Sequence, residues 1–347
     1  MRAILPFVAG VLVTFIIARY LVDWDTLRSG SWMHASTGWW IAAAASMIGL
    51  RAAGYVYRLH HLAGGRLSWA RSTQVIFLWE FSSAVTPGTV GGAAVAIFLL
   101  ARERFSSGRA AAMVLVATLL DMLYLVLLVP VFLAVLGSDL FFTATACVGA
   151  EMAGGLQSGA LSLVVLILGL LVIFSGLMIY GLFIDAGFTR RAARSMGRWP
   201  VLRRWQDGFD RFGDDVMRAA ESFRGQTVGF WARVSAGTIL SWTARFALAL
   251  FLIKAVHPDF ADVALAYGRQ LVILVIMMLP VTPGGVGVAE GSMVTYLCDL
   301  MPRDVLGVML IMWRMLTYYI YLLVGMVVLP RWIARVFGNR SESNTFE

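Results

Sequence analysis

Nine residues, Val85-Thr86-Pro87-Gly88-Thr89-Val90-Gly91-Gly92-Ala93, return almost unchanged as Val281-Thr282-Pro283-Gly284-Gly285-Val286-Gly287-Val288-Ala289. Both copies lie in the middle of apolar stretches, at about 72–101 and 263–300. A proline next to several glycines stops an α-helix, because it removes a backbone donor and loosens the chain. At membrane depth such a break survives only where protein or a wet cavity surrounds it. Each stretch therefore reads as a re-entrant hairpin of two half-helices.

The lipid setting follows from the rest of the chain. It is 60% hydrophobic and only 14% charged, with mean hydropathy +0.79, whereas soluble domains carry about 25% charged residues. Six further apolar stretches, at about 3–22, 38–60, 109–136, 160–184, 229–256 and 304–330, have roughly the 20-residue length that crosses a bilayer. They are continuous and do not alternate, which excludes a membrane β-barrel. The longest polar stretch, about Asp185 to Gly229, is too short for a soluble catalytic domain. Met1 to Tyr20 lacks a clear small-residue cleavage site and reads as an uncleaved first span.

Charge tests the hairpins. The formal net charge is +8, and Lys254 is the only lysine. Arg58, Arg66 and Arg71 follow the second span with no acid near them, and Arg102, Arg104 and Arg109 follow the first hairpin. The 190–224 stretch is arginine-dense, and Arg331, Arg335 and Arg340 lie near the end of the chain. Residues 137–159 and 257–262 carry only acids, Asp139, Glu151, Asp259 and Asp262. The positive-inside rule then puts both termini in the cytoplasm, hairpin one opening inward and hairpin two outward.

The fold expected is an all-α polytopic membrane protein: six transmembrane helices plus two re-entrant broken-helix hairpins in an inverted-topology repeat. It is one transmembrane domain over 1–347, with a first repeat at 1–136, a second at 160–330 and a cytoplasmic amphipathic segment at 188–225. In that segment Leu202, Trp205, Phe209, Phe212, Val216, Ala220 and Phe223 fall at helical spacing. Such a helix suits the membrane interface, with packing on the bundle as the alternative. Broken helices at matching places in two inverted halves point to a transport site near the midplane.

Charges inside spans are costly and mark function or locked pairs. Arg51, Glu80, Asp121, Arg245, Glu290 and Arg314 all fall there. Arginine holds phosphate through paired hydrogen bonds and stays charged when buried, so Arg51, Arg245 and Arg314 are the candidate lipid-headgroup ligands. Thr86, Gly88, Gly91 and Gly92, with Thr282, Gly284, Gly285 and Gly287, would add half-helix N-termini with free N–H groups. Glu80, Asp121 and Glu290 would balance the arginines or carry a coupling proton; Asp121 equally suits a purely structural pair. Thr86 and Thr282 suit backbone satisfaction as well as binding, and Tyr318, Tyr319 and Tyr321 suit packing as well as ligand contact. No metal or cofactor pattern is present, His34, His60, His61 and His257 sit at span ends, and Cys147 and Cys298 read as inert apolar residues. The arginines flank spans and form no single stripe, so nucleic acid is not an expected partner.

Four motifs resemble the family of lysylphosphatidylglycerol synthase transmembrane regions, which are flippase-like. They are Leu50-Arg51-Ala52-Ala53-Gly54-Tyr55, the Thr86–Gly92 break, Thr282-Pro283-Gly284-Gly285-x-Gly287-x-x-Glu290, and Arg314-Met315-Leu316-Thr317-Tyr318-Tyr319. The resemblance implies a translocase for a phosphate-bearing or otherwise anionic lipid, such as an isoprenoid-linked or modified phospholipid, in a bacterial or archaeal cytoplasmic membrane. It carries Arg51, Arg245, Glu290 and Arg314 as motif positions. The chain ends at Glu347 without the synthase's soluble aminoacyl-transferase domain, so no enzymatic activity is expected. Anionic inner-leaflet lipids and a lipid-modifying transferase are the expected partners. The alternative is a non-catalytic accessory subunit that presents lipid to a separate transferase.

Overall fold

Three of the long helices open on a hydroxyl side chain that accepts a backbone N–H three residues on: Ser68 from Arg71, Ser106 from Arg109 and Thr227 from Phe230. These caps satisfy donors that a helix start leaves unpaired. In the computed structural model, residues 19, 24–86, 88–137, 150–197, 206–278 and 285–338 are described. They contain helices and no strands. In chain order the helices are α1 (Trp24–Ser29), α2 (Thr37–Leu62), α3 (Trp69–Val85), α4 (Gly88–Arg102), α5 (Ser107–Leu136) and α6 (Ala150–Ile179). Then come α7 (Ala186–Gly197), α8 (Gln206–Arg224), α9 (Val228–Val256), α10 (Val263–Met277), α11 (Val288–Leu297), α12 (Arg303–Arg314) and α13 (Ile320–Gly338). Short π-helical turns, Tyr180–Ile184 and Met315–Tyr319, continue α6 and join α12 to α13.

Among the described residues four stretches are long and apolar enough to cross a membrane: Ser107–Leu136, Leu161–Ile184, Val228–Val256 and Arg303–Phe337. The expected first span and the Thr282–Gly284 part of the second break lie outside the described residues.

Both broken stretches fold back on themselves. At the closed end of the first, a side chain added at Gly91 would come within 2.6 Å of Thr86, and one at Gly92 within 2.0 Å of the Ser83 hydroxyl. At its open end Arg71 stands 3.9 Å from Glu103. The second closes where Gly285 approaches Met277, and Arg269 in the middle of α10 reaches the Tyr296 carbonyl near the end of α11 at 2.9 Å. At 1.5 Å rise per residue the 10- to 17-residue half-helices reach at most about 25 Å, short of the ~30 Å hydrocarbon core. The order long helix, two half-helices, long helix thus occurs twice: α2, α3–α4, α5 and α9, α10–α11, α12–α13.

The matching helices α2 and α9 pack on one another more extensively than any other pair. They cross where Gly54 faces Gly237; a Cβ on either would stand 2.7–2.8 Å from the other's carbonyl oxygen. Small residues at such a crossing let backbones approach, the usual means of helix association in lipid.

Two corrections concern the loops. Arg58 is no loop charge: it lies inside α2, 3% exposed, and is paired with Asp121. The amphipathic segment, expected in the membrane interface, packs on the bundle where its side chains are described. Val216, Ala220 and Phe223 are buried, and Gly108 of α5 meets the backbone at Asp215 so closely that no larger residue fits. Arg224 donates to the Leu182 carbonyl at 3.0 Å, tying α8 to the end of the α6 span.

Two large apolar clusters occupy different heights of the long helices, beside a small third of Val286, Tyr318 and Leu322. One apolar cluster gathers Ala44, Leu125, Val129 and Trp242 with α10, α11 and α12. The other gathers Tyr55, Leu59, Ala117 and Val234 with α3, α4 and α8. Helices α2, α5 and α9 run through both.

Candidate functional site

The layer between the two large apolar clusters holds Arg51 and Asp121. On α2 it falls at Arg51, between Ala44 and Tyr55; on α5 at Asp121, between Leu119 and Tyr124; on α9 near Ser241, between Val234 and Phe246. Buried charges in a low-dielectric interior must be paired and hydrogen-bonded, and most of these are.

Arg51 Nη2 donates to both oxygens of Glu80 at 2.9 and 2.8 Å, joining α2 to the first hairpin. Its guanidinium lies 5.4 Å from the Tyr55 ring centre and 5.0 Å from that of Tyr321. Its Nε is buried without a hydrogen-bond partner. About two turns along α2, Arg58 grips Asp121 through two bonds, at 2.5 and 3.2 Å, and also reaches Thr238 Oγ1 at 3.1 Å. Asp121 Oδ1 in turn accepts the Trp242 indole N–H at 2.7 Å.

The second break is built around Glu290. One of its oxygens accepts the backbone N–H of Gly287 at 2.7 Å, and the other accepts Arg314 Nε at 2.5 Å. Arg314 also donates to the Gly285 carbonyl at 3.3 Å. Gly285 and Gly287 have φ of +66° and +85°, the left-handed region that glycine enters without a Cβ penalty. The N–H of Gly287, expected to await a ligand, is therefore occupied by Glu290, the carboxylate at the third helical position of α11. Arg314, expected to bind a headgroup, is 3% exposed and neutralised in the same contact.

Arg245 differs. Among the described residues no carboxylate pairs with it; its guanidinium lies 5.4 Å over the ring of Trp242, one turn earlier on α9. Arg51, Tyr55, Glu80 and Tyr321 are within electrostatic range. It lines a narrow, partly open cleft of about 30 Å³ between α9, α10, α11 and the α12–α13 turn. Gln270 and Thr317 are its other polar lining residues, and Leu274, Met277, Met293 and Trp313 are among the apolar ones. Thr317 belongs to the π-helical turn, a distortion often found at functional positions. Behind Trp242 stands an aromatic stack with Tyr124 and Phe246, and Tyr124 is hydrogen-bonded to Tyr267 at 2.6 Å.

The remaining expected residues divide simply. Thr86 turns its hydroxyl to the Ser82 carbonyl at 2.7 Å, satisfying the backbone at the break. Gly88 begins α4, and Gly91 and Gly92 serve the close fold-back described above. Thr282 and Gly284 lie outside the described residues. Tyr318 is buried, 3.4 Å from the Ala84 carbonyl, while Tyr321 faces Arg51. Cys298, expected to be inert, is disulfide-bonded.

Two sites escaped the sequence reading. Arg269, 1% exposed, pairs with Asp299 at 2.5 Å; an arginine inside the 263–300 apolar stretch was signal enough to find it. Glu103, buried, receives Arg335 and the Trp332 indole at 3.1 Å, fastening hairpin one to α13. Between two arginines in a loop, it reads as a solvated charge.

A helical membrane protein with paired broken half-helices and a charged layer at their junction is the class defined by this geometry. Residues 7–325 match the family described as lysylphosphatidylglycerol synthase TM region, and the chain belongs to that family. It is similar to a UPF0104 membrane protein of Archaeoglobus fulgidus, 24% identical over 335 residues, covering 92% of this chain and 93% of that one.

Proposed function

We propose that the protein is a lipid translocase. It moves a lipid with a phosphate-bearing or otherwise anionic headgroup between leaflets and performs no chemistry on it. The observation that carries the reading is Arg245, a partly buried arginine that no carboxylate pairs among the described residues, lining a cleft of mixed polar and apolar residues. A guanidinium in such a place binds phosphate or carboxylate through its planar fork, and the apolar lining suits the start of a lipid chain.

In this reading both hairpins are re-entrant, six helices span the membrane and both termini are cytoplasmic. The arginines near the cytoplasmic ends hold anionic inner-leaflet lipids. Half-helices too short to cross, folded back at Gly91–Gly92 and at Gly285, support the hairpins. The pairs Arg51–Glu80, Arg58–Asp121 and Arg314–Glu290 fasten each repeat internally, Asp121 and Arg58 reach across to Trp242 and Thr238, and alternating exposure of the Arg245 cleft moves the headgroup.

The test is mass spectrometry of lipids that stay with the protein through detergent purification, for wild type and Arg245→Gln. An anionic lipid enriched over bulk membrane in wild type and lost in the variant is the expected result. Bulk phospholipid alone, unchanged by the substitution, contradicts the reading.

A further inference from the structure

Charge in the polar layer comes as three neutral pairs and one remainder. Arg51 is matched by Glu80, Arg58 by Asp121 and Arg314 by Glu290, leaving Arg245 with one positive charge and no carboxylate among the described residues. The unassigned break residues 279–284 contain no charged side chain, so they do not alter this balance. Each pair is made through two polar contacts or a second hydrogen bond, and none has a free carboxylate oxygen facing Arg245 in the bonds just described.

From this balance we infer that the pocket selects a headgroup with a single negative charge, a phosphodiester or a carboxylate, over a lipid diphosphate. The inference rests on the lipid-binding reading above and narrows its substrate class. One anion closes the charge of the layer. A diphosphate brings at least one further negative charge, which must then sit in the low-dielectric layer against Glu80 and Asp121 with no cation of its own. A spare donor, Arg51 Nε, can add a hydrogen bond but no charge, because Arg51 is already neutralised by Glu80. The selectivity is therefore set by the count of carboxylates around Arg245, and a substitution that removes one should change it.

The experiment compares phosphatidylglycerol with a prenyl diphosphate for the purified full chain in mixed micelles, by competition for one fluorescent phosphatidylglycerol probe. Wild type is expected to prefer phosphatidylglycerol by about tenfold or more, the scale of an uncompensated charge in a partly buried site. Glu80→Gln leaves a second unmatched arginine, so the ratio should move at least about tenfold toward the diphosphate. Asp121→Asn leaves Arg58 unmatched and should move it the same way; it carries the test if Glu80→Gln does not purify as a folded protein. An unchanged ratio in the folded variants, or a wild type that prefers the diphosphate, overturns the charge rule while leaving lipid binding intact. Failure of both lipids to displace the probe, or of the probe to bind, overturns the lipid reading and the rule together.

Discussion

Removing one member of a buried ion pair leaves the other charged and dry, which costs about 3–5 kcal/mol in well-buried cases. Glu290 is the sharpest case, since it holds both Arg314 and the Gly287 N–H and is 1% exposed. Glu290→Gln and Arg51→Gln are therefore expected to destabilise the protein by about 3 kcal/mol or more. The readout is a lower unfolding temperature in detergent. Arg245→Gln strands no carboxylate and should fall within about 1 kcal/mol of wild type. Equal losses for Arg245→Gln and Glu290→Gln would show that Arg245 is structural after all. The sequence displayed most of these charges, because an arginine or glutamate in an apolar stretch is conspicuous. It did not display their partners. Arg58 and Asp121 are far apart in the chain, as are Asp121 and Trp242, so only the fold tells that Asp121 serves both.

At the scale of elements, proline and glycine made both breaks legible, because their effect on a helix is local. What the glycines touch was not legible. Gly237 faces the Gly54 carbonyl, which cannot move without shifting α2, whereas Gly92 faces the hydroxyl of Ser83, a side chain that can be trimmed. Gly237→Ala should thus cost about 1–3 kcal/mol as overpacking against backbone, seen as a lower unfolding temperature. Gly92→Ala should cost less, and Ser83→Ala should restore much of the loss. A Gly237→Ala protein as stable as wild type would mean that α2 and α9 do not cross as described. The amphipathic helix α8 shows the same limit. Its periodicity announced an apolar stripe, but whether the stripe meets lipid or protein was decided by Gly108, which meets Asp215 from far earlier in the chain and is silent in the pattern.

For the whole molecule, two large apolar cores with a charged layer between them leave a cleft lined by Arg245 among helices of the second repeat. The repeat itself could be read from nine recurring residues, yet its consequence, the packing of α2 on α9 that brings Arg51 and Arg245 within range of each other, belongs to the tertiary fold. The central claim is that Arg245 holds the headgroup of a lipid in transit. It is tested most directly by flipping of fluorescent phosphatidylglycerol in sealed proteoliposomes, scored by quenching of the outer leaflet, with wild type, Arg245→Gln and protein-free vesicles side by side. The account predicts that wild type raises the accessible fraction above the protein-free level and that Arg245→Gln returns it there while remaining folded. Wild-type flipping by folded Arg245→Gln would contradict it.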